Sequence, residues 1–451
     1  MKILILGAGE VGRGIANHLF SQDEDVTIIE KSPEVAARIR ESSGVNVVVG
    51  DAINIDVLKE ANAENASYVI ATMTTDEQNI LACKLVGSLF EAKTKIARIK
   101  SDTFLHGDIF ELFLKENFDV DIIIQPESDI ANAVCDIAGV NGAFDVVDLE
   151  SLVIVGLQCR TGAEVLNTPF RHFRGIVNLD ASVLTITRNG KTFFPKIDDM
   201  LMDGDEIYVA TTKAHMHEVL RLFGYDQKNK ERILVVGGNK ISISVIKTML
   251  AKNPDLDVTL LEESMERAEE IAQNFPDITT SYGNYQNYDF LREIGTEIDM
   301  AIVLTGKEKT NILSSLFLKE IGVKRVLTLA KNHRYDVLLP IRAGCSVINP
   351  NVITIETVLH MTVRGGNIKS ATTLKDCSAT FFVVEAVVTE SSSLVGNEVL
   401  SIELEDKIAP IFLVRNETII LAEKNPIVAA GDTIIIVAEG SHMKKCVPHR
   451  L

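Results

Sequence analysis

Short apolar runs alternate with longer stretches whose apolar residues recur every three or four positions, and this rhythm organises the first third of the chain. The runs Ile3–Leu6, Val26–Ile29, Val45–Val49, Tyr68–Ala71, Lys95–Ile99 and Asp121–Ile124 predict buried strands. Helical spacing fills the intervals, as in Ile80-Leu81-Cys83-Lys84-Leu85 behind Asp76-Glu77. Such alternation predicts an α/β unit over 1–140, a Rossmann-like doubly wound parallel sheet with helices on both faces. From Phe144 the texture shifts to short strands, Leu152–Val155, Leu184–Thr187 and Ile207–Val209, punctuated by Arg188-Asn189-Gly190 and Gly204-Asp205. That predicts a small α+β lobe over 141–225, followed by the polar linker Gly224–Lys230.

The pattern then repeats. Lys2-Ile3-Leu4-Ile5-Leu6-Gly7-Ala8-Gly9 returns 230 residues later as Arg232-Ile233-Leu234-Val235-Val236-Gly237-Gly238-Asn239. Gly50-Asp51 returns as Gly283-Asn284, Asn79 as Asn311, and Gly204-Asp205 as Gly431-Asp432. An internal duplication explains these matches. It predicts a second doubly wound unit over 231–365 and a second small lobe over 370–451.

Composition narrows the function classes. A net charge of −18 argues against a nucleic-acid partner, which needs a basic footprint. The longest apolar runs, such as Ile434–Val437, are far short of the ~20 residues of a membrane helix. The chain opens on a strand, which predicts no signal peptide and a cytosolic protein. Its six cysteines form no Cys-x-x-Cys pair and read as core residues or free thiols.

Chemistry gathers at the first glycine turn. Gly7-Ala8-Gly9-Glu10-Val11-Gly12 is a G-x-G-x-x-G between a strand and a helical pattern. Gly7 permits the tight turn, Gly9 lets backbone amides approach a pyrophosphate, and Gly12 lets the helix pack closely. Glu30, eighteen residues past Gly12, closes the second strand, where a carboxylate holds ribose hydroxyls and repels a 2′-phosphate. NAD(H) is therefore favoured over NADP, and ATP or ADP offers the same ribose. Asp51, with Ala52 behind it, follows the third strand, and Thr72, Met73 and Thr74 follow the fourth, at the sheet edge where ligands bind in this architecture. Catalytic groups are not evident. His215 and His217 lack metal spacing, and Asp198–Glu206 reads as a solvated acidic turn.

The duplicated plan, together with Lys2–Gly14, Gly50-Asp51-Ala52, Thr74-Thr75-Asp76-Glu77-Gln78-Asn79 and Ala97-Arg98-Ile99, closely resembles the TrkA family. Its members are peripheral subunits of the Trk potassium-uptake system, built from two RCK (KTN) modules of a TrkA-N and a TrkA-C part. The resemblance implies a regulator rather than an enzyme, binding NAD(H) and ATP or ADP. It also implies a homo-oligomeric ring on the inner face of the cell membrane, on a potassium-transporting subunit of the TrkH or TrkG kind. Asn79 and Arg98 join the nucleotide-site residues on this ground. An NAD-dependent oxidoreductase, or the regulatory portion of a cation/proton antiporter, is the alternative reading.

The second turn has diverged. Asn239 replaces Gly9, Ser242 replaces Gly12, Asn284 replaces Asp51, and Thr328 falls where Arg98 would be at constant offset. Glu262 keeps the ribose position, but Asn239 obstructs the approach to a pyrophosphate, so the second half is expected to bind nucleotide weakly or not at all. Two proline-led apolar segments, Pro126 to Ala138 and Pro350 to Met361, predict helices with an apolar stripe, and the family resemblance implies that they are exchanged or paired between modules.

Overall fold

The computed structural model describes the whole chain except residues 22–23, 91, 101–113, 150–151, 171, 173–178, 226–230, 333, 364–367, 375–380, 402–407, 417 and 440–451. Most of the expected linker, Asp226–Lys230, and Cys377 and Cys446 lie outside the described residues.

The first sheet contains β1 Lys2–Leu6, β2 Asp25–Glu30, β3 Asn46–Val49, β4 Tyr68–Ala71, β5 Thr94–Arg98 and β6 Ile122–Ile124. All neighbours are parallel and the order is β3-β2-β1-β4-β5-β6. Ile3, Leu4, Ile5 and Leu6 of β1 are fully buried because helices cover both faces of a central parallel strand. The order reverses between β1 and β4, so the turns after these strands open a crevice at the carboxyl edge. Helices start where the sequence supplies caps, as at Ser32, whose side chain accepts from the Val35 amide ahead of Pro33–Ser42.

The first small lobe is antiparallel: β7 Ala143–Asp148, β8 Leu152–Gln158, β9 Ala181–Arg188, β10 Lys191–Phe193 and β11 Glu206–Thr212, ordered β10-β9-β11-β8-β7. Asn189 and Gly190, both at positive φ, make the tight turn from β9 to β10. The acidic stretch before β11 differs from the expected solvated turn. Asp205 is only 2% exposed, and it accepts from Arg188 Nε and Nη2 at 2.8 and 2.6 Å. Arg188 turns back onto it from β9 because a buried carboxylate needs a partner.

The second parallel sheet contains β12 Arg232–Val236, β13 Asp257–Glu262, β14 Thr279–Tyr282, β15 Met300–Val303, β16 Arg325–Leu329 and β17 Ser346–Ile348, ordered β14-β13-β12-β15-β16-β17. The second lobe follows with β18 Ile368–Leu374, β19 Phe381–Val387, β20 Ile408–Arg415, β21 Thr418–Leu421 and β22 Thr433–Glu439. Its Arg415 holds Asp432 with the same two bonds, at 2.8 and 2.7 Å. The two lobes share a core in which Leu152, Ile154 and Tyr208 meet Phe381, Phe412 and Ile435.

Contacts group the chain differently from its order along the sequence. One unit joins Met1–Ile130 with Pro350–Thr362, and the other joins Ala131–Asn349 with Val363–Leu451. In the first, the helix Pro350–Val363 lays Val358 and Leu359 into a core with Ile3, Ile5, Ile15 and Leu19. Burying those two side chains contributes roughly 3–6 kcal/mol. Gly14 makes the seat: a Cβ there would lie 2.2 Å from Ile355 Cδ1. In the second unit, the end of the helix Pro126–Gly139 is fixed by residues far along the chain. Arg325 Nη2 donates to the carbonyls of Ile137, Ala138 and Val140, each at 3.0 Å, a cation where the helix dipole is negative. Lys252 pairs with Asp136 at 2.8 Å. The expected exchange of proline-led helices therefore takes place within one chain.

Candidate functional site

Gly7 ends β1 at φ +99°, a conformation that favours glycine, and its amide bonds the Ile29 carbonyl at 2.9 Å. The next amide, of Ala8, donates to Glu30 Oε2 at 2.9 Å, while Ser32 donates to Oε1 at 2.8 Å. Glu30 thus braces the glycine turn against the start of the next helix, and each oxygen keeps a lone pair for a further donor. Gly12 admits no side chain, because a Cβ would meet the Gly7 carbonyl oxygen at 2.1 Å and Thr72 Oγ1 at 2.8 Å. A Cβ on Gly9 would meet nothing within 4 Å. One glycine is demanded by packing and the other faces open space.

That space is a cavity of about 370 Å³ above the carboxyl edge of the sheet. Of the residues expected at the site, Gly7, Ala8, Gly9, Glu30, Asp51, Ala52, Thr72, Met73, Thr74 and Arg98 line it together. Glu10, Val11, Gly12 and Asn79 do not. Glu10 accepts from Asn351 of the exchanged helix at 2.8 Å. Val11 lies in the core beside Ile15, and Gly12 seats its helix on β1. Asn79 is fully buried and acts from below. Its Oδ1 accepts from the Met73 amide at 2.8 Å and its Nδ2 donates to the Arg98 carbonyl at 2.7 Å, so it ties the loop after β4 to the end of β5.

Sequence reasoning missed Ile29, Lys31, Gly50, Gln78 and Lys100 on the cavity wall. Gly50 and Gln78 stand inside motifs already singled out, and Lys31 and Lys100 were legible as cations beside Glu30 and Arg98. Lys31 Nζ bonds Asp51 Oδ2 at 3.0 Å, and this bond, followed by one from the Ile53 amide, holds the Asp51 carboxyl below its usual range. Burial lowers the pKa of Arg98, with Glu127 and Asp76 opposing the shift. Its Nε is buried without a hydrogen-bond partner, which is costly for a charged donor. The site therefore offers helix N-terminal amides and Arg98 to an anion, and two carboxylates to hydroxyl groups.

The second half aligns with one correction. Asn311 Nδ2 bonds the Leu329 carbonyl at 2.8 Å as Asn79 bonds that of Arg98, so Leu329, not Thr328, holds the register of Arg98. The loops before it are of unequal length, and the offset drifts from 230 at the glycine turn to 231 at this strand. Glu262 is buried and accepts from Gly238 and Ser264 amides at 2.6 and 2.9 Å, the bonds that Glu30 receives. Elsewhere, His215 Nδ1 lies 4.0 Å from Asp180. Among the described residues no three histidine, cysteine or acidic side chains cluster as a metal site, and no helix is long and apolar enough to cross a membrane.

The sequence profile of the TrkA-N domain family matches residues 3–126 and 233–350. Over 449 residues the chain is 31% identical to the Trk system potassium uptake protein TrkA of Azorhizobium caulinodans, covering 99% of this chain and 97% of that protein. It is 29% identical to the protein of the same name from Haemophilus influenzae, with the same coverages. Among solved structures, the GsuK RCK domain superimposes with a TM-score of 0.59 at 17% identity, over 99% of this chain and 94% of that one. The GsuK channel bound to NAD gives 0.60 at 18%, over 98% and 77%. At such identities these two share the fold.

Proposed function

The chain belongs to the TrkA family, carrying the TrkA-N domain twice, and from that premise we propose that it is a nucleotide-sensing regulatory subunit of a potassium-uptake system and not an enzyme. The observation that carries the reading is the cavity beside Gly9, lined by the cationic Arg98 as well as by the carboxylates of Glu30 and Asp51. In this reading the pyrophosphate of NAD(H), or the phosphates of ATP or ADP, lies over the Gly7–Gly12 turn against Arg98. Glu30 takes the ribose hydroxyls. Ala52, Thr72, Met73 and Thr74 shape the walls, and Asn79 positions Met73 and Arg98. The spans 1–140, 141–225, 231–365 and 370–451 are the units of the duplicated ancestor, with Glu262 the trace of a second ribose contact.

The relatives' name supports a place in a potassium-uptake system, and the partner we propose is a membrane potassium-transporting subunit of the TrkH or TrkG kind, met from the cytoplasmic side, with no role for nucleic acid. Copies of the chain assemble into a ring. Exposed Leu81 and Leu89 on the helix Asp76–Phe90 lie eight residues apart, on one helical stripe. Exposed Leu313 and Leu316 mark the corresponding helix Glu308–Ile321, and both stripes suit a second copy. The test is calorimetric titration of the whole chain with NADH, ADP and ATP, paired with capture of a purified potassium-transporting subunit with and without each nucleotide. Binding of none of the three nucleotides would end the sensing reading, and failure to hold the membrane subunit in any of these conditions would end the regulatory one.

A further inference from the structure

The second half keeps the frame of the first site and fills it with its own side chains. Gly237 ends β12 at φ +100°, and its amide bonds the Leu261 carbonyl at 2.8 Å as that of Gly7 bonds Ile29. Glu262 and Asn311 repeat the bonds of Glu30 and Asn79. Inside this frame several residues that line the first cavity are replaced, Gly9 by Asn239, Ala52 by Tyr285 and Arg98 by Leu329.

Asn239 stands where Gly9 leaves open space. Its Oδ1 accepts from the Ser242 amide at 3.1 Å and from Ser242 Oγ at 3.3 Å, and its Nδ2 donates to the Leu304 carbonyl. The carboxamide caps the helix Lys240–Lys252 and takes up a helix N-terminal donor that an anion would otherwise bind. Tyr285 stands where Ala52 lines the first cavity. It is 6% exposed and packs with Leu234, Val236 and Leu261. Its hydroxyl accepts from the Glu263 amide at 3.0 Å and lies beside the Glu262 carboxylate. A hydroxyl group on that carboxylate is what a ribose would supply.

The remaining gaps are closed as well. Arg267 Nε donates to the Gly238 carbonyl at 3.1 Å. A Cβ on Gly238 would meet Ile271 Cδ1 at 2.6 Å and Glu262 Oε2 at 2.7 Å. At the register of Arg98, Leu329 offers no charge to a phosphate.

We infer that the second half carries a built-in ligand surrogate, the Asn239 carboxamide in the place of a phosphate and the Tyr285 hydroxyl in the place of a ribose hydroxyl, so that each chain takes one nucleotide. The inference rests on the nucleotide reading of the first site. It makes the second half a fixed reference, held in a loaded-like state, while the first half changes with the cell's nucleotide. Because a ligand shifts a conformational equilibrium only through its different affinity for two states, a permanently filled half adds no response of its own.

The experiment counts sites on the full chain by equilibrium titration with NADH and ADP. Wild type is expected to bind one nucleotide per chain, and two equivalent sites would overturn the inference. Asn239→Gly combined with Tyr285→Ala should raise the count from one to two. An unchanged count in a variant with an intact thermal transition overturns it. Since removing Tyr285 could unfold that half, hydrogen exchange on wild type provides a second reading. Saturating NADH should slow the amides of Gly7–Gly12 and leave those of Gly237–Ser242 unchanged, and slowing of both overturns the inference. If wild type binds no nucleotide, the reading of the first site fails by itself. In that case one nucleotide on the opened variant still supports the surrogate, and none overturns it.

Discussion

Gly9 and Gly12 stand three residues apart in one motif, yet a methyl group added to each should fail in a different way. At Gly12 the new Cβ would lie 2.1 Å from the Gly7 carbonyl oxygen and 2.8 Å from Thr72 Oγ1. The first is backbone at the end of a central strand, so the helix Glu10–Ser21 has to move off β1. Overpacking of this kind costs about 1–3 kcal/mol, or a fall of roughly 2–12 °C in Tm at about 2–4 °C per kcal/mol. At Gly9 the Cβ meets nothing within 4 Å. Alanine loses about 0.5–1 kcal/mol against glycine as a helix cap and regains roughly as much by restricting the unfolded chain, so Tm should hold within a degree or two. The methyl instead projects into the cavity where phosphate oxygens would meet the backbone. Losing one or two hydrogen bonds to a charged acceptor costs about 1.5–3 kcal/mol, or about 10- to 100-fold in affinity. Differential scanning calorimetry and NADH titration on Gly9→Ala and Gly12→Ala check both arms. NADH binding at wild-type affinity by a fully folded Gly9→Ala variant would refute the placement of the pyrophosphate. An unaltered Tm for Gly12→Ala would refute the packing argument.

Two further outcomes are expected. Gly14→Ala should destabilise the chain by about 1–3 kcal/mol through Ile355, and adding Ile355→Val, which deletes the clashing Cδ1, should recover most of it. Strict additivity of the two changes in urea denaturation would mean that the exchanged helix does not sit on Gly14. Burial, opposed by a hydrogen bond from Thr357 and reinforced by Glu127, pushes the Asp129 carboxyl up to about 6. An acid raised in the folded state holds a proton that the unfolded chain releases, so its contribution is full below about pH 4 and is lost as pH rises to about 6. Asp129→Asn should therefore gain stability across that window, reaching about 2 kcal/mol above pH 6, and an equal effect at pH 4 and pH 8 would refute it.

Much of this molecule was legible along the chain because its strands are locally encoded. A parallel strand buried on both faces has to be apolar throughout, so Ile3–Leu6 and Leu234–Val236 declare themselves, and a glycine turn followed by an acid-ended strand declares the crevice beside them. Ten residues expected at the site meet around one cavity for that reason. The other four, Glu10, Val11, Gly12 and Asn79, belong to the same motifs, and motif membership cannot separate a residue that faces a ligand from one that holds the turn. Asn79 is the clearest case: its amide serves the site only through Met73 and Arg98, and that role exists only once β4 and β5 are side by side.

Periodic content was readable from the chain alone: two duplicated doubly wound units, two small α+β lobes, and two proline-led helices with an apolar face to bury. Where those faces go depends on contacts made across the fold. An apolar stripe fixes that a helix is covered, not by which of two similar sheets, and the choice rests on single distant residues such as Gly14 and Arg325. Tyr285 shows the same limit at a site. As a letter it is one aromatic residue in a loop; its hydroxyl replaces a ligand only because folding brings it against Glu262, twenty-three residues away in the chain. Burial and hydrogen bonding are properties of neighbours in space, and along the chain those neighbours have no fixed spacing.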